Sequence, residues 1–100
     1  MSKSKYALEL SQEAYDDLVS IQNYTYSEFG ENQWKKYGHD LDQGMIHILN
    51  YPLLGHRRDD VPEPYITWPV REHVMIYRVE GQTIYLVRVL HAKMDFRFQF

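Results

Sequence analysis

The chain contains no cysteine, which excludes disulfides and thiolate metal sites and fits a reducing compartment. It has no apolar run near the roughly 20 residues a membrane helix needs. Its start, MSKSKYALEL, has lysines but neither a long apolar stretch nor a small-residue cleavage site, so no signal peptide is read there. The cytoplasm is the expected location, and no membrane partner is expected. Charge of one sign is scarce too. The net charge is −3, which argues against a general nucleic-acid binder. Internal repeats, low-complexity segments and long linkers are absent, so residues 1–100 read as a single domain. A chain of this length buries about two-thirds of the surface its unfolded state exposes, and folds without staples. Five histidines are present, but no His-x3-His or acidic-His cluster. His39 and His47 lie eight apart, too loosely placed to suggest a site. Neither a metal nor another cofactor is expected.

Aromatic residues are plentiful: nine Tyr, four Phe and two Trp. Tyrosine hydroxyls must stay wet or hydrogen-bonded, which suits a partner surface as well as a core. The charge is also unevenly placed. Residues 1–50 carry four lysines against eight carboxylates, whereas residues 51–100 carry seven Lys/Arg against six carboxylates. The second half therefore has room for a local basic site.

The pattern predicts a short strand over residues 5–10, where Tyr6, Leu8 and Leu10 alternate with other residues. Ser11 suits a helix N-cap, and Glu13, Asp16 and Asp17 favour the positive end of the helix dipole. A first helix over Gln12–Phe29 carries Ala14, Leu18, Ile21, Thr25 and Phe29 at three- and four-residue steps. Gly30 is the natural left-handed stop. A second helix over Glu31–Asn50 carries Trp34, Tyr37, Leu41, Met45, Ile48 and Leu49. Gly38 and Gly44 inside it mark close approach of a neighbour. The short connection folds the two helices into an antiparallel hairpin. A loop over residues 51–64 follows, then strands over 65–70, 73–79 and 83–90, with turns at Arg71-Glu72 and Glu80-Gly81-Gln82. The last two strands are apolar on both faces and read as central. Val74 and Ile76 are set against Met75 and Val79, and Ile84, Leu86 and Leu90 against Val87 and Val89. The expected fold is α+β, in the order β-α-α-β-β-β, with an antiparallel sheet packed on a helical hairpin.

With the helix start LSQEAYDDL, the hairpin FGENQWKKY, the loop NYPLLGHRRDD and the closing strands HVMIYRV and IYLVRVLHAKMD in this order, nearly the whole chain resembles the RelE/ParE superfamily of toxins from bacterial type II toxin–antitoxin systems. The pattern Y-R-V, short polar turn, I-x-x-x-R-V-L-H-x-x-x-D places it nearer the ParE branch. The resemblance implies a growth inhibitor neutralised by a cognate, ParD-like antitoxin in a hetero-oligomer. Relatives on the ParE branch trap DNA gyrase on cleaved DNA. Relatives on the RelE branch cut messenger RNA on the ribosome, and that is the alternative.

A metal-independent ribonuclease needs a base, an acid and cations for the phosphate. Arg71, His73, Tyr77, Arg88 and His91 are the candidates. His73 and Tyr77 share a face by even spacing, but Arg88 and His91 do not. The tail offers Phe96, Phe98 and Phe100 but no Tyr, a departure from the RNA-cutting pattern. A non-enzymatic gyrase inhibitor is therefore the preferred expectation, with no catalytic residues. A binding surface needs aromatics and Arg at a patch, and Arg88, His91, Lys93, Phe96, Arg97 and Phe98 are the expected target contacts. Trp34, Tyr37, Leu41 and Met94 are the expected antitoxin contacts. Each residue also has a plain structural role to fill. Tyr77 suits the core, Trp34 and Tyr37 suit the packed helix stripe, and Arg88 suits an ion pair with Asp95 or Glu72. His91 suits a backbone bond at the strand end, and Arg57, Arg58, Asp59 and Asp60 suit a solvated loop.

Overall fold

A computed structural model describes residues 5–100. The elements follow the expected order: β1 (Ala7–Leu10), α1 (Gln12–Phe29), α2 (Glu31–Asn50), β2 (Ile66–Val70), β3 (His73–Glu80) and β4 (Thr83–His91), with single 3-10 turns at Pro52–Leu54 and Phe96–Phe98. Ser11 caps α1 by accepting the Ala14 N–H at 3.0 Å. Gly30 sits at φ 89°, where a side chain would be strained, and separates the two helices.

The sheet order is β1-β4-β3-β2, so the two long apolar strands are central as expected. The sheet is mixed rather than wholly antiparallel. β1 runs parallel to β4, with Ala7 opposite Thr83 and Leu10 opposite Leu86, while β2, β3 and β4 form an antiparallel meander. The segment between α2 and β2 crosses the sheet face away from the helices, where Val61 and Tyr65 pack. The chain therefore begins the meander at the end that makes β4 run with β1.

A β-bulge decides which residues of β4 face the helices. Ile76 pairs with Arg88, but the next residue, Tyr77, pairs with Leu86, leaving Val87 unmatched. One extra residue inverts the alternation beyond it. Ile84, Leu86 and Val89 accordingly join the core under the helices, and Leu90 joins Val87 on the far face. The expected grouping of Leu90 with Ile84 and Leu86, and of Val89 with Val87, is thus corrected by the bulge. Its polar groups are satisfied from α1. The Ser11 hydroxyl donates to the Val87 carbonyl at 2.7 Å, and the Asp17 carboxylate accepts the Val89 N–H at 2.9 Å.

Two apolar layers result. Under the helices lie Ala14, Ile21, Tyr37, Leu41, Ile48, Met75 and Tyr77 with their neighbours. Each large side chain there contributes on the order of 1.5–3 kcal/mol by leaving water. Gly44 lets α2 approach the sheet, because a Cβ there would lie 2.5 Å from Val70 Cγ2. On the other face, Val61, Val74, Ile76, Leu90 and Phe96 form a smaller core beneath the 57–65 loop and the C-terminal tail.

Candidate functional site

Where the sheet ends against the helices, a cleft of about 800 Å³ opens. Its walls come from the last turns of α1 (Tyr24, Thr25, Phe29), the start of α2 (Gln33, Tyr37), the β2–β3 turn (Arg71, Glu72), and His73 and His91. The two histidines are directly paired across β3 and β4, and their rings lie 5.3 Å apart at 74°. The bulge carries His91 to this side, because it reverses the facing of every residue after Val87.

Hydrogen bonds orient both rings. Tyr37 Oη accepts the Glu72 N–H at 3.3 Å and lies 2.5 Å from His73 Nδ1. Burial raises the Tyr37 phenol above its ordinary pKa, so Tyr37 keeps its proton, and its hydroxyl and His73 Nδ1 share the hydrogen bond. Burial, then the charge of His91, lowers the pKa of His73. His91 Nδ1 accepts the Lys93 N–H at 3.2 Å, the backbone bond foreseen for the strand end. A neutral imidazole with Nδ1 as acceptor carries its proton on Nε2.

The lowered pKa of His73 has a stability consequence. Folding favours the neutral ring, so this contribution is fully present above the ordinary histidine value of about 6.5 and is lost as pH falls through it toward the folded value. Urea midpoints are expected to be flat from pH 8 to about 7 and to fall below about 6.5. The fall is smaller in His73→Gln. A pH dependence of the same size in that variant would show that another group carries it.

Of the remaining nuclease candidates, Arg71 joins the two histidines in the cleft, Arg88 lines an adjoining depression with them, and Tyr77 lies apart. Arg71 lies at the mouth at φ 54° and is ion-paired with Asp40. Tyr77 is buried, its hydroxyl donates to the Pro52 carbonyl at 2.7 Å, and burial pushes its pKa up to about 12. It is a core residue, as its plain structural role required. Arg88 is held against α1, in a shallow depression it shares with His73 and His91. Its Nε and Nη2 donate to Asp17 at 2.8 and 3.0 Å, and that bond raises its pKa. Asp17 therefore replaces the expected partners Asp95 and Glu72. Asp95 pairs instead with Arg97 at 2.6 Å, which holds the Asp95 carboxyl down to about 2.

The expected target surface is also rearranged. Phe96 is fully buried, roofed by the Arg58 guanidinium 4.0 Å from its ring centroid. Its N–H donates to Asp60 at 3.3 Å, and Asp60 is held by Arg58 at 2.9 Å. Phe96 is thus an anchor rather than a surface contact, and the Arg58–Asp60 pair is a clasp rather than part of a freely solvated loop. The tail is a 3-10 turn, not a strand. Lys93 and Arg97 remain exposed, and Phe98 is 83 % exposed.

The expected antitoxin contacts fall in separate places. Tyr37 and Leu41 are buried against the sheet. Trp34 lines a groove of about 540 Å³ between the helices with Leu10, Tyr15, Leu18, Val19 and Met45. Met94 lies beside Arg88 and His91 in a shallow depression along the middle of α1, which adjoins the cleft at Tyr24, His73 and His91.

Sequence reasoning missed three positions: Asp17, which ties β4 to α1; Tyr37 as the partner of His73; and the stack of Trp68 between His47 (centroids 3.8 Å apart) and His56 (5.8 Å). Only Asp17 left a trace in the sequence, as one of three carboxylates near the start of α1.

A family model described as the ParE toxin of the type II toxin–antitoxin system parDE matches residues 8–96. The chain belongs to the ParE toxin family. Toxin ParE1 of Mycobacterium tuberculosis is 32 % identical over 93 residues, covering 92 % of this chain and 93 % of that protein. Toxin ParE1 of Caulobacter vibrioides is 31 % identical over 88 residues, covering 88 % and 91 %. Among solved structures, a chain of the chromosomal ParDE system from P. aeruginosa superposes with a TM-score of 0.78 at 17 % identity, over 91 % of this chain and all of that one. A chain of the E. coli DinJ–YafQ toxin–antitoxin complex gives 0.64 at 15 % identity, over 87 % and 92 %. These two share the fold of this ParE-family toxin. No described helix is long and apolar enough to cross a membrane.

Proposed function

We propose that this ParE-family toxin arrests growth by binding DNA gyrase, without cutting a substrate of its own, and that a ParD-like antitoxin neutralises it. The observation that carries the reading is the match to the ParE family over most of the chain. The geometry supports it in that Tyr77 and Arg88, two of the five nuclease candidates, are committed to the core and to Asp17. A poison that works by contact needs only a complementary surface with aromatic and Arg anchors. Exposed Phe98, with the Arg97 guanidinium 5.7 Å from its ring centroid, and exposed Lys93 are available for that purpose. The groove containing Trp34 suits an apolar helix of the antitoxin.

Purified toxin is expected to inhibit supercoiling by gyrase and to accumulate cleaved DNA. Phe98→Ala weakens the inhibition while its melting temperature stays unchanged. Uninhibited supercoiling at micromolar toxin would overturn the proposal. A second reading, messenger-RNA cleavage on the ribosome, draws on the histidine pair of the cleft. It predicts transcripts cut at defined codon positions after induction, and intact transcripts would remove it.

A further inference from the structure

We propose that the cleft bounded by Tyr24, Phe29 and the His73–His91 pair is a binding site for a nucleobase. This does not rest on the gyrase reading. Nδ1 of His73 is engaged by Tyr37 and Nδ1 of His91 accepts the Lys93 amide N–H, so on each ring Nε2 is the nitrogen left to meet a ligand. His73 and His91 both line the cleft. Two neighbouring imidazole edges, each oriented by the contact its Nδ1 makes, match the polar edge of a heteroaromatic ring bearing carbonyls.

The rim supplies the other half of the recognition. Tyr24 and Phe29 are 63 % and 64 % exposed and meet edge to face with centroids 6.3 Å apart. Large exposed aromatic faces beside a cleft stack on planar rings. Gln33 adds an amide able to both donate and accept. Charge selects against a bare phosphate. Arg71 is neutralised by Asp40, and Glu72 adds a negative charge. A neutral heteroaromatic ring bearing carbonyl groups is the chemistry that fits, and the volume falls within the range of small-molecule sites. The ring could be presented by a free nucleotide or by a single strand of nucleic acid.

The test is an NMR titration of the full chain, following the imidazole Cε1–H signals of His73 and His91. Uridine and guanosine monophosphates, ribose 5-phosphate and a short single-stranded oligonucleotide are the probes. The nucleotides are expected to shift both signals and ribose 5-phosphate to shift neither. His91→Phe, which keeps a ring but removes the donor, weakens binding roughly tenfold, and the exposed-site variant Phe29→Ala weakens it with unchanged melting. Tighter binding of the oligonucleotide than of the monophosphates assigns the site to a strand, and equal binding assigns it to the free nucleotide. No shift at millimolar nucleotide, equal shifts with ribose 5-phosphate, or full affinity in Phe29→Ala would overturn the proposal. A gyrase assay that fails leaves it standing.

Discussion

Phe96→Ala is expected to destabilise the toxin by about 3–4 kcal/mol, a large share of the roughly 5–15 kcal/mol that holds a domain of this kind together. Phe96 has no exposed surface, and it packs with Val61, Val74, Ile76 and Leu90. Removing the ring loses its transfer energy and leaves a cavity beneath the Arg58 guanidinium, which then has no aromatic face under it. The tail and the 57–65 loop hold one another through this residue, so neither can close over the void without the other. The melting temperature should fall by roughly 15 °C. Phe98→Ala, two residues away but 83 % exposed, should leave stability within about 0.5 kcal/mol. Equal losses in urea titrations of the two variants would mean that the tail does not pack as described.

Asp17→Ala is expected to cost about 2–4 kcal/mol. The carboxylate accepts from Arg88 Nε and Nη2 and from the Val89 N–H, at 2.8, 3.0 and 2.9 Å. The Arg88 and Asp17 side chains are 24 % and 16 % exposed. Truncating the acid strands a largely covered guanidinium and a backbone donor together. Arg88→Ala should cost less, because Asp17 keeps the Val89 N–H and gains access to water. A urea series in which Arg88→Ala is the more damaging of the two would reverse this assignment. The ordering also bears on toxicity tests, since loss of function in either variant must be read against its stability.

Local signals told most of the fold. The stripe from Trp34 to Ile48, the break at Gly30 and the polar turn around Gly81 are all set by residues close in sequence, and backbone preferences there agree with the tertiary answer. The site was less legible because its geometry depends on what lies across the chain. Nothing in the run IYLVRVLH marks Val87 as the extra residue, since a bulge of this kind needs no special side chain. Without it the spacing rule could not place His91 beside His73. Tyr37 reads as helix stripe, and only its position opposite β3 gives it an imidazole to serve. Phe96, Phe98 and Phe100 alternate as a strand would, yet the Asp60 clasp turns the segment and buries only the first. The parallel pairing of β1 could not be read from a four-residue strand whose partner lies more than 70 residues away.

The unmatched Val87 makes strand register, rather than side-chain identity, the quantity on which this end of the toxin depends. Were Val87 instead drawn into the ladder opposite Ile76, Arg88 would turn beneath the helices opposite Met75, and His91 would pass His73 to the layer beneath the tail. The imidazole pair would then be lost while every residue type that composes it was still present.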